Sequence, residues 1–174
     1  MKTKLVQETT KMNEKLRLAT NDDKDAVIEV LNYYVANSTA AYPMTFLGDE
    51  AWNQLRFMAR ENNIWVMENA EGDFLGFAML KWFMARDSFN HTAELSYFIK
   101  ADQTGKGLGR RLLEKLEDQA RALGVKILVA NVSSLNQESL AFHQKMGFQE
   151  CGRIPGVARK FDETFDVVWF YKNL

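Results

Sequence analysis

A chain of 174 residues with 47% hydrophobic and 26% charged residues has the size and make-up of one globular domain with a real core. A formal net charge of −1 argues against a nucleic-acid platform, which needs a clear Lys/Arg excess, and no apolar run approaches the length of a membrane crossing. The one cysteine, Cys151, has no internal disulfide partner, which points to a reducing, cytoplasmic setting.

Residues 1–14 mix charges with Thr and Gln and lack the apolar centre of a secretion signal, so a flexible lead-in is expected there. With no repeat and no proline- or serine-rich linker beyond it, residues 15–174 are expected to form a single domain. A short strand is predicted around Leu16 to Ala19, followed by Asn21, Asp22 and Asp23 as candidate helix caps. Val27, Val30, Leu31, Tyr34 and Val35 then recur at helical spacing, and Asn37-Ser38 ends that helix. A second helix carries Trp52, Leu55 and Met58.

Two strands are predicted near Ile64 to Glu68 and Phe74 to Trp82, joined at Glu71-Gly72-Asp73, and a third over Ala93 to Ile99. After Gly105, Gly107 and Gly109 comes a helix with Leu108, Leu112, Leu116, Ala120 and Leu123 on its inner face, stopped by Gly124. The branched run Ile127 to Val132 reads as a buried central strand. Ser134 and Gln137 have capping-box spacing for a helix running to about Met146, closed by Gly147. Last strands are expected near Phe148 to Gly152 and Val167 to Tyr171. The predicted class is mixed α/β: a mostly antiparallel central sheet flanked by about four helices.

The segment Thr104-Gly105-Lys106-Gly107-Leu108-Gly109 stands between a strand and a helix. Glycines let the backbone turn tightly and bring bare N–H groups to a ligand, and a helix N-terminus adds donors and partial positive charge suited to a pyrophosphate. Lys106, Arg110 and Arg111 add charge nearby. A P-loop would need Gly-Lys followed by Ser or Thr after a longer glycine spacing, which Gly105-Lys106-Gly107-Leu108 does not offer, and a dinucleotide fingerprint would sit early in a parallel fold. Taken alone, the motif suits a bare turn as well as a ligand loop.

Its context is more specific. The order strand, Gly-x-Gly-x-Gly, helix, strand, Asn136-x-x-Ser139, helix, Gly147-Phe148 resembles the GNAT (GCN5-related) superfamily of N-acetyltransferases over nearly the whole chain. Within it the chain is most similar to the phosphinothricin and methionine sulfoximine branch. The carrying stretches are Ser38-Thr39 with Pro43 and Thr45, Arg86 and Phe89 before Thr92-Ala93-Glu94-Leu95-Ser96-Tyr97, Leu140-Ala141-Phe142-His143, and Gly156 to Phe161 followed by Asp166-Val167.

The resemblance implies acetyl-CoA as co-substrate, a compact amine such as an amino acid as acceptor, and a homodimer. It implies a cofactor cradle of Tyr97, Phe98, Ile99, Thr104, Gly105, Lys106, Gly107, Leu108, Gly109, Arg110, Asn136 and Ser139, and acceptor contacts from Arg86 and Phe89. Three positions depart from the pattern: Thr104 where Arg or Gln is usual, Thr164 where Trp precedes the Asp, and Phe89 where Tyr is common.

Attack on a thioester needs a neutral amine, hence a base. Glu94 lies in an alternating strand where an apolar sheet would raise its pKa; it reads as that base or as a structural ion pair, and the resemblance favours the base. His143, two helical turns beyond Asn136, reads as the proton donor to the leaving thiolate or as a packed histidine; the resemblance again favours chemistry. No metal is expected from two histidines and a lone cysteine. Two rivals stay open: the same fold acting on a protein N-terminus, a polyamine or an aminoacyl-tRNA, and a regulatory domain that binds coenzyme A without turnover.

Overall fold

The structure, a computed structural model, describes residues 14–174; residues 1–13, most of the predicted lead-in, lie outside the described part. In chain order the elements are β1 (Lys15–Leu18), α1 (Lys24–Asn37), α2 (Glu50–Met58), β2 (Ala59–Glu68), β3 (Phe74–Trp82), β4 (Thr92–Ile99), α3 (Leu108–Ala122), β5 (Ile127–Ser133), α4 (Gln137–Lys145), β6 (Gln149–Lys160) and β7 (Glu163–Asn173). The strands make one seven-stranded sheet in the order β1-β2-β3-β4-β5-β7-β6. Only β4 and β5 pair in parallel; every other pair is antiparallel. This is the predicted mixed sheet with four helices.

The sheet is covered on both faces. On one, Leu108, Leu112, Leu113, Leu116 and Ala120 of α3 pack on Ala78, Leu80, Leu95, Leu128, Ala130 and Phe170. On the other, Val27, Val30 and Leu31 of α1 and Trp52 of α2 pack on Ile64, Val66, Phe77 and Met79. Period-2 alternation along β3 and β4 sends successive side chains to the two layers. Burial of these apolar faces, more than helix propensity, holds the helices in place.

Four local outcomes differ from the sequence expectations. The turn before α1 is capped by Thr20, whose hydroxyl accepts from Asp22 N at 3.3 Å while Asp23 returns the bond to Thr20 N at 2.7 Å. At α4 the cap is Asn136, whose Oδ1 accepts from Ser139 N at 3.1 Å; the Ser134 hydroxyl accepts instead from Asp166 N on β7. Strand β2 begins at Ala59, directly after α2, through a pairing irregularity at which Glu61 and Asn62 take positive φ. Finally, β6 and β7 run far past the predicted ends and are joined by Phe161-Asp162, both at positive φ, the twist that suits a two-residue hairpin.

One interruption positions everything that follows. Strand β4 pairs with β5 only from Thr92↔Ile127 to Glu94↔Val129. Yet β4 stays paired with β3 as far as Ile99↔Gly76, and β5 with β7 as far as Ser133↔Val167. Past Glu94 the two strands therefore part, and among the described residues no strand pairs with the β4 edge from Leu95 to Ile99 on that side.

Candidate active site

The parting of β4 and β5 opens a cleft of about 1080 Å³ whose walls include Glu94 to Ile99, Ala130 to Ser133, the glycine turn and the start of α4. At one end lies the N-terminus of α3. Gly107 is its cap residue, at φ 81°, and a glycine offers no side chain to occupy the first helical amides. Gly105 is also left-handed, at φ 74°, and a Cβ at either position would meet nothing within 4 Å. The glycines thus serve the backbone path and leave the start of α3 without a capping side chain, and no acidic residue in its first turn competes for an anion. These features fit a diphosphate held by main-chain amides.

Near the point of parting, Glu94 meets Lys81 of β3 and Asn131 of β5. Lys81 Nζ donates to Glu94 Oε1 at 2.6 Å and Asn131 Nδ2 to the same oxygen at 2.8 Å. Register explains the meeting: Lys81 lies opposite Glu94 across the β3–β4 ladder, and Asn131 follows Val129, its parallel partner, by two residues on the same face. The setting is an ion pair on the cleft wall, not the apolar surround expected. Tyr42, also on the wall, has its phenol pushed up to about 12, chiefly by burial and in part by the Glu94 charge.

The opposite face of β4 presents Tyr97 to α4. Its hydroxyl is 2.7 Å from His143 Nε2, and His143 Nδ1 is 2.7 Å from the Ser139 carbonyl. A carbonyl only accepts, so Nδ1 carries the hydrogen, and in the neutral ring bare Nε2 accepts from Tyr97. His143 is only 3% exposed, enclosed by the rings of Tyr97, Phe142, Phe148 and Phe170. Burial pushes its pKa below the ordinary histidine value and pushes the Tyr97 phenol up.

Most of the predicted cradle is brought together: Tyr97, Phe98, Ile99, Thr104, Gly105, Gly107, Leu108, Gly109, Arg110, Asn136 and Ser139 all line the cleft, with Glu94 and His143. Lys106 does not; its ammonium points back to Gln103 Oε1 at 2.9 Å. The Thr104 hydroxyl is engaged with the Ala101 carbonyl. Arg86 and Phe89, predicted to touch the acceptor, fall outside the cleft lining. Arg86 is exposed on a short turn and bonds the Ala85 carbonyl, and Phe89 packs edge-on against Phe83. Lys81 and Asn131 were not singled out from sequence; the signal was their strand register, which appears only once the strands are paired.

Residues 27–148 match the family model described as the acetyltransferase (GNAT) family. The chain is 34% identical to the L-methionine sulfoximine/L-methionine sulfone acetyltransferase of Pseudomonas aeruginosa, over 94% of this chain and 96% of that protein. It is 35% identical to the L-amino acid N-acyltransferase of Escherichia coli, over 91% and 93% of the two chains. The solved structure of a phosphinothricin acetyltransferase from Sinorhizobium meliloti in complex with acetyl-CoA superposes with a TM-score of 0.85 at 26% identity, covering 94% of this chain and 89% of that one.

Proposed function

Because the chain belongs to the acetyltransferase (GNAT) family, we propose that it is an N-acetyltransferase moving acetyl from acetyl-CoA to the amino group of a small amino-acid-like acceptor. Methionine sulfone, methionine sulfoximine and phosphinothricin are the acceptor type, by similarity to the relatives named above. The observation that carries this reading is the parting of β4 and β5 beyond Glu94, with amide donors at one end of the cleft and a carboxylate on its wall.

Acetyl-CoA supplies a thioester carbon open to attack by an amine. The first amides of α3 and the glycine turn hold its diphosphate. The bare β4 edge from Leu95 to Ile99 pairs with the amides of the pantetheine arm as an added strand would. Glu94 takes the proton from the acceptor nitrogen as the C–N bond forms and the C–S bond breaks. The predicted donor, His143, carries its one hydrogen on Nδ1 and accepts at Nε2 from Tyr97, so the Tyr97 hydroxyl is the group that gives the departing sulfur its proton, and the phenolate regains one from solvent water. Transfer is direct and needs no acyl-enzyme. The protein acts as one domain over residues 15–174, in the cytoplasm, and as a homodimer. Exposed Met44, Phe46 and Phe57, the last 87% exposed, offer apolar surface for a subunit contact. Sedimentation equilibrium reads that state directly.

Thiol release from acetyl-CoA with a panel of amines, including methionine sulfone and phosphinothricin, tests the reaction. Glu94→Gln is expected to lower kcat by about 100-fold or more while the Kd for coenzyme A stays within about twofold. Tyr97→Phe should also lower kcat. Tight coenzyme A binding with no release for any amine would leave a non-catalytic binding domain and refute the reading. Equal losses of turnover and cofactor affinity in Glu94→Gln would remove Glu94 as the base.

A further inference from the structure

We propose that Lys81 receives the acid group of the acceptor, so that Lys81 and Glu94 together form a head-group site for an α-amino acid zwitterion. The proposal rests on the acetyltransferase reading and adds to it a residue that sets acceptor class. Lys81 is the next-to-last residue of β3, and the residues before it, Phe74 to Leu80, carry no charge. A cation placed there loses part of its hydration and needs compensating partners. Its ammonium and the Glu94 carboxylate have side chains only 19% and 15% exposed, and both residues line the cleft.

The other cations on the cleft wall stand elsewhere. Arg110 lies at the glycine turn, 66% exposed and paired with Glu114, and Lys145 is exposed near the end of α4. Arg86, for which the family resemblance implies an acceptor contact, lies outside the lining. Lys81 is therefore the cation beside the carboxylate that takes the acceptor's proton.

Geometry then limits what fits. An amine in hydrogen-bond reach of Glu94 sits beside a carboxylate that Lys81 already touches at 2.6 Å. In an α-amino acid the carboxylate oxygens lie three covalent bonds from that nitrogen, so they fall within reach of Lys81 Nζ. Binding exchanges a two-charge pair for an alternating row of four: ammonium of Lys81, carboxylate of the acceptor, amine of the acceptor, carboxylate of Glu94. Each charge keeps an opposite neighbour as water leaves, the condition under which a half-buried charge is tolerated. Once the nitrogen has become an amide, Lys81 still holds the product carboxylate. An amine without an acid group leaves Lys81 with Glu94 alone and gains nothing from it.

The test compares methionine sulfone with its α-carboxamide as acceptors, using wild type, Lys81→Met and Lys81→Arg, with kcat/KM read from thiol release. The quantity of interest is the acid-to-amide ratio of kcat/KM. A loss common to both acceptors reports the disturbed Glu94 and cancels. Wild type should prefer the acid, Lys81→Met should cut the ratio by about tenfold or more, and Lys81→Arg should keep most of it. An unchanged ratio in Lys81→Met overturns the proposal and leaves Lys81 as a residue that only positions Glu94. Should Lys81→Met fail to fold by circular dichroism, Lys81→Gln carries the same comparison. A wild type that acetylates no amine at all removes the acetyltransferase reading, and the Lys81 site with it.

Discussion

His143 is the residue whose environment most constrains its chemistry. Its Nδ1 hydrogen is committed to the Ser139 carbonyl and its Nε2 to Tyr97, inside a shell of aromatic rings. Burial lowers its pKa, so the folded protein declines a proton that the unfolded chain accepts once pH falls below about 6.5. The unfolded state then binds more protons, and stability must drop as pH falls through that region; above about pH 7.5 both states carry the neutral ring and the effect vanishes. The unfolding free energy is expected to decline between pH 7.5 and 5.5, by at most about 1.4 kcal/mol per pH unit from this group, and the melting temperature falls with it. His143→Gln should flatten that slope, whatever it does to the absolute melting temperature. A variant slope equal to wild type would mean that the ring is protonated in the fold. Glu94, His143 and the glycine turn were visible in the sequence through motif order. Their pairings were not: Lys81, Asn131 and Tyr97, the last read from sequence only as part of the cofactor cradle, lie 13, 37 and 46 positions from the groups they bond, and such pairings exist only after the strands find their register.

At the scale of elements, the long hairpin of β6 and β7 does more than close the sheet. Lys160, at the end of β6 and almost fully buried, donates to the carbonyls of Ser38 at 2.8 Å and Ala41 at 2.6 Å. Burial lowers its pKa, and those two carbonyls are what its ammonium has gained in place of water. The carbonyls belong to the segment whose Ala40, Ala41, Tyr42 and Pro43 form one wall of the cleft. The hairpin thereby pins a wall of the cleft that has no regular structure of its own. Lys160→Met should cost about 1–3 kcal/mol, a fall in melting temperature of roughly 2–4 °C for each kcal/mol, and should raise the acceptor KM more than the Kd for coenzyme A. A stability loss with acceptor KM unchanged would confine Lys160 to a structural role. Helices α1 to α3 could be read from periodicity because each turns one apolar face to a packed layer, and β3 and β5 from their apolar runs because both faces of the sheet are covered there. The full length of β6 could not: it is exposed along nearly all its residues, holds Pro155, Gly152 and Gly156, and is a strand because β7 pairs with it. The start of α4 misled for a related reason: Ser134 has cap spacing, but β7 claims its hydroxyl and Asn136 takes the cap.

For the whole molecule, the cleft is a break in an otherwise continuous sheet, and ligand binding should be felt as global stability. One half of the sheet carries β1 to β4, the other β5 to β7, and beyond Glu94 no ladder among the described residues joins them. A ligand that spans the gap binds the folded state alone and stabilises it by mass action: about 2.7 kcal/mol at a concentration 100 times its Kd, or roughly 5–10 °C in a chain of this size. The two ends of coenzyme A should contribute unequally. Main-chain amides at the start of α3 are built for an anion, whereas the β4 edge offers neutral pairing of the kind any extended amide chain can use. Coenzyme A is therefore expected to raise the melting temperature strongly, and pantetheine, which has the arm without the diphosphate, to raise it little at the same concentration. Gly107→Ala forces a side chain into a left-handed φ of 81°, at a cost of about 1–2 kcal/mol, and shifts the first amides. It should therefore shrink the coenzyme A response while leaving the small pantetheine response in place. Equal responses to the two ligands in wild type would mean that the glycine turn is a bare connection, and the affinity would have to come from the β4 edge instead.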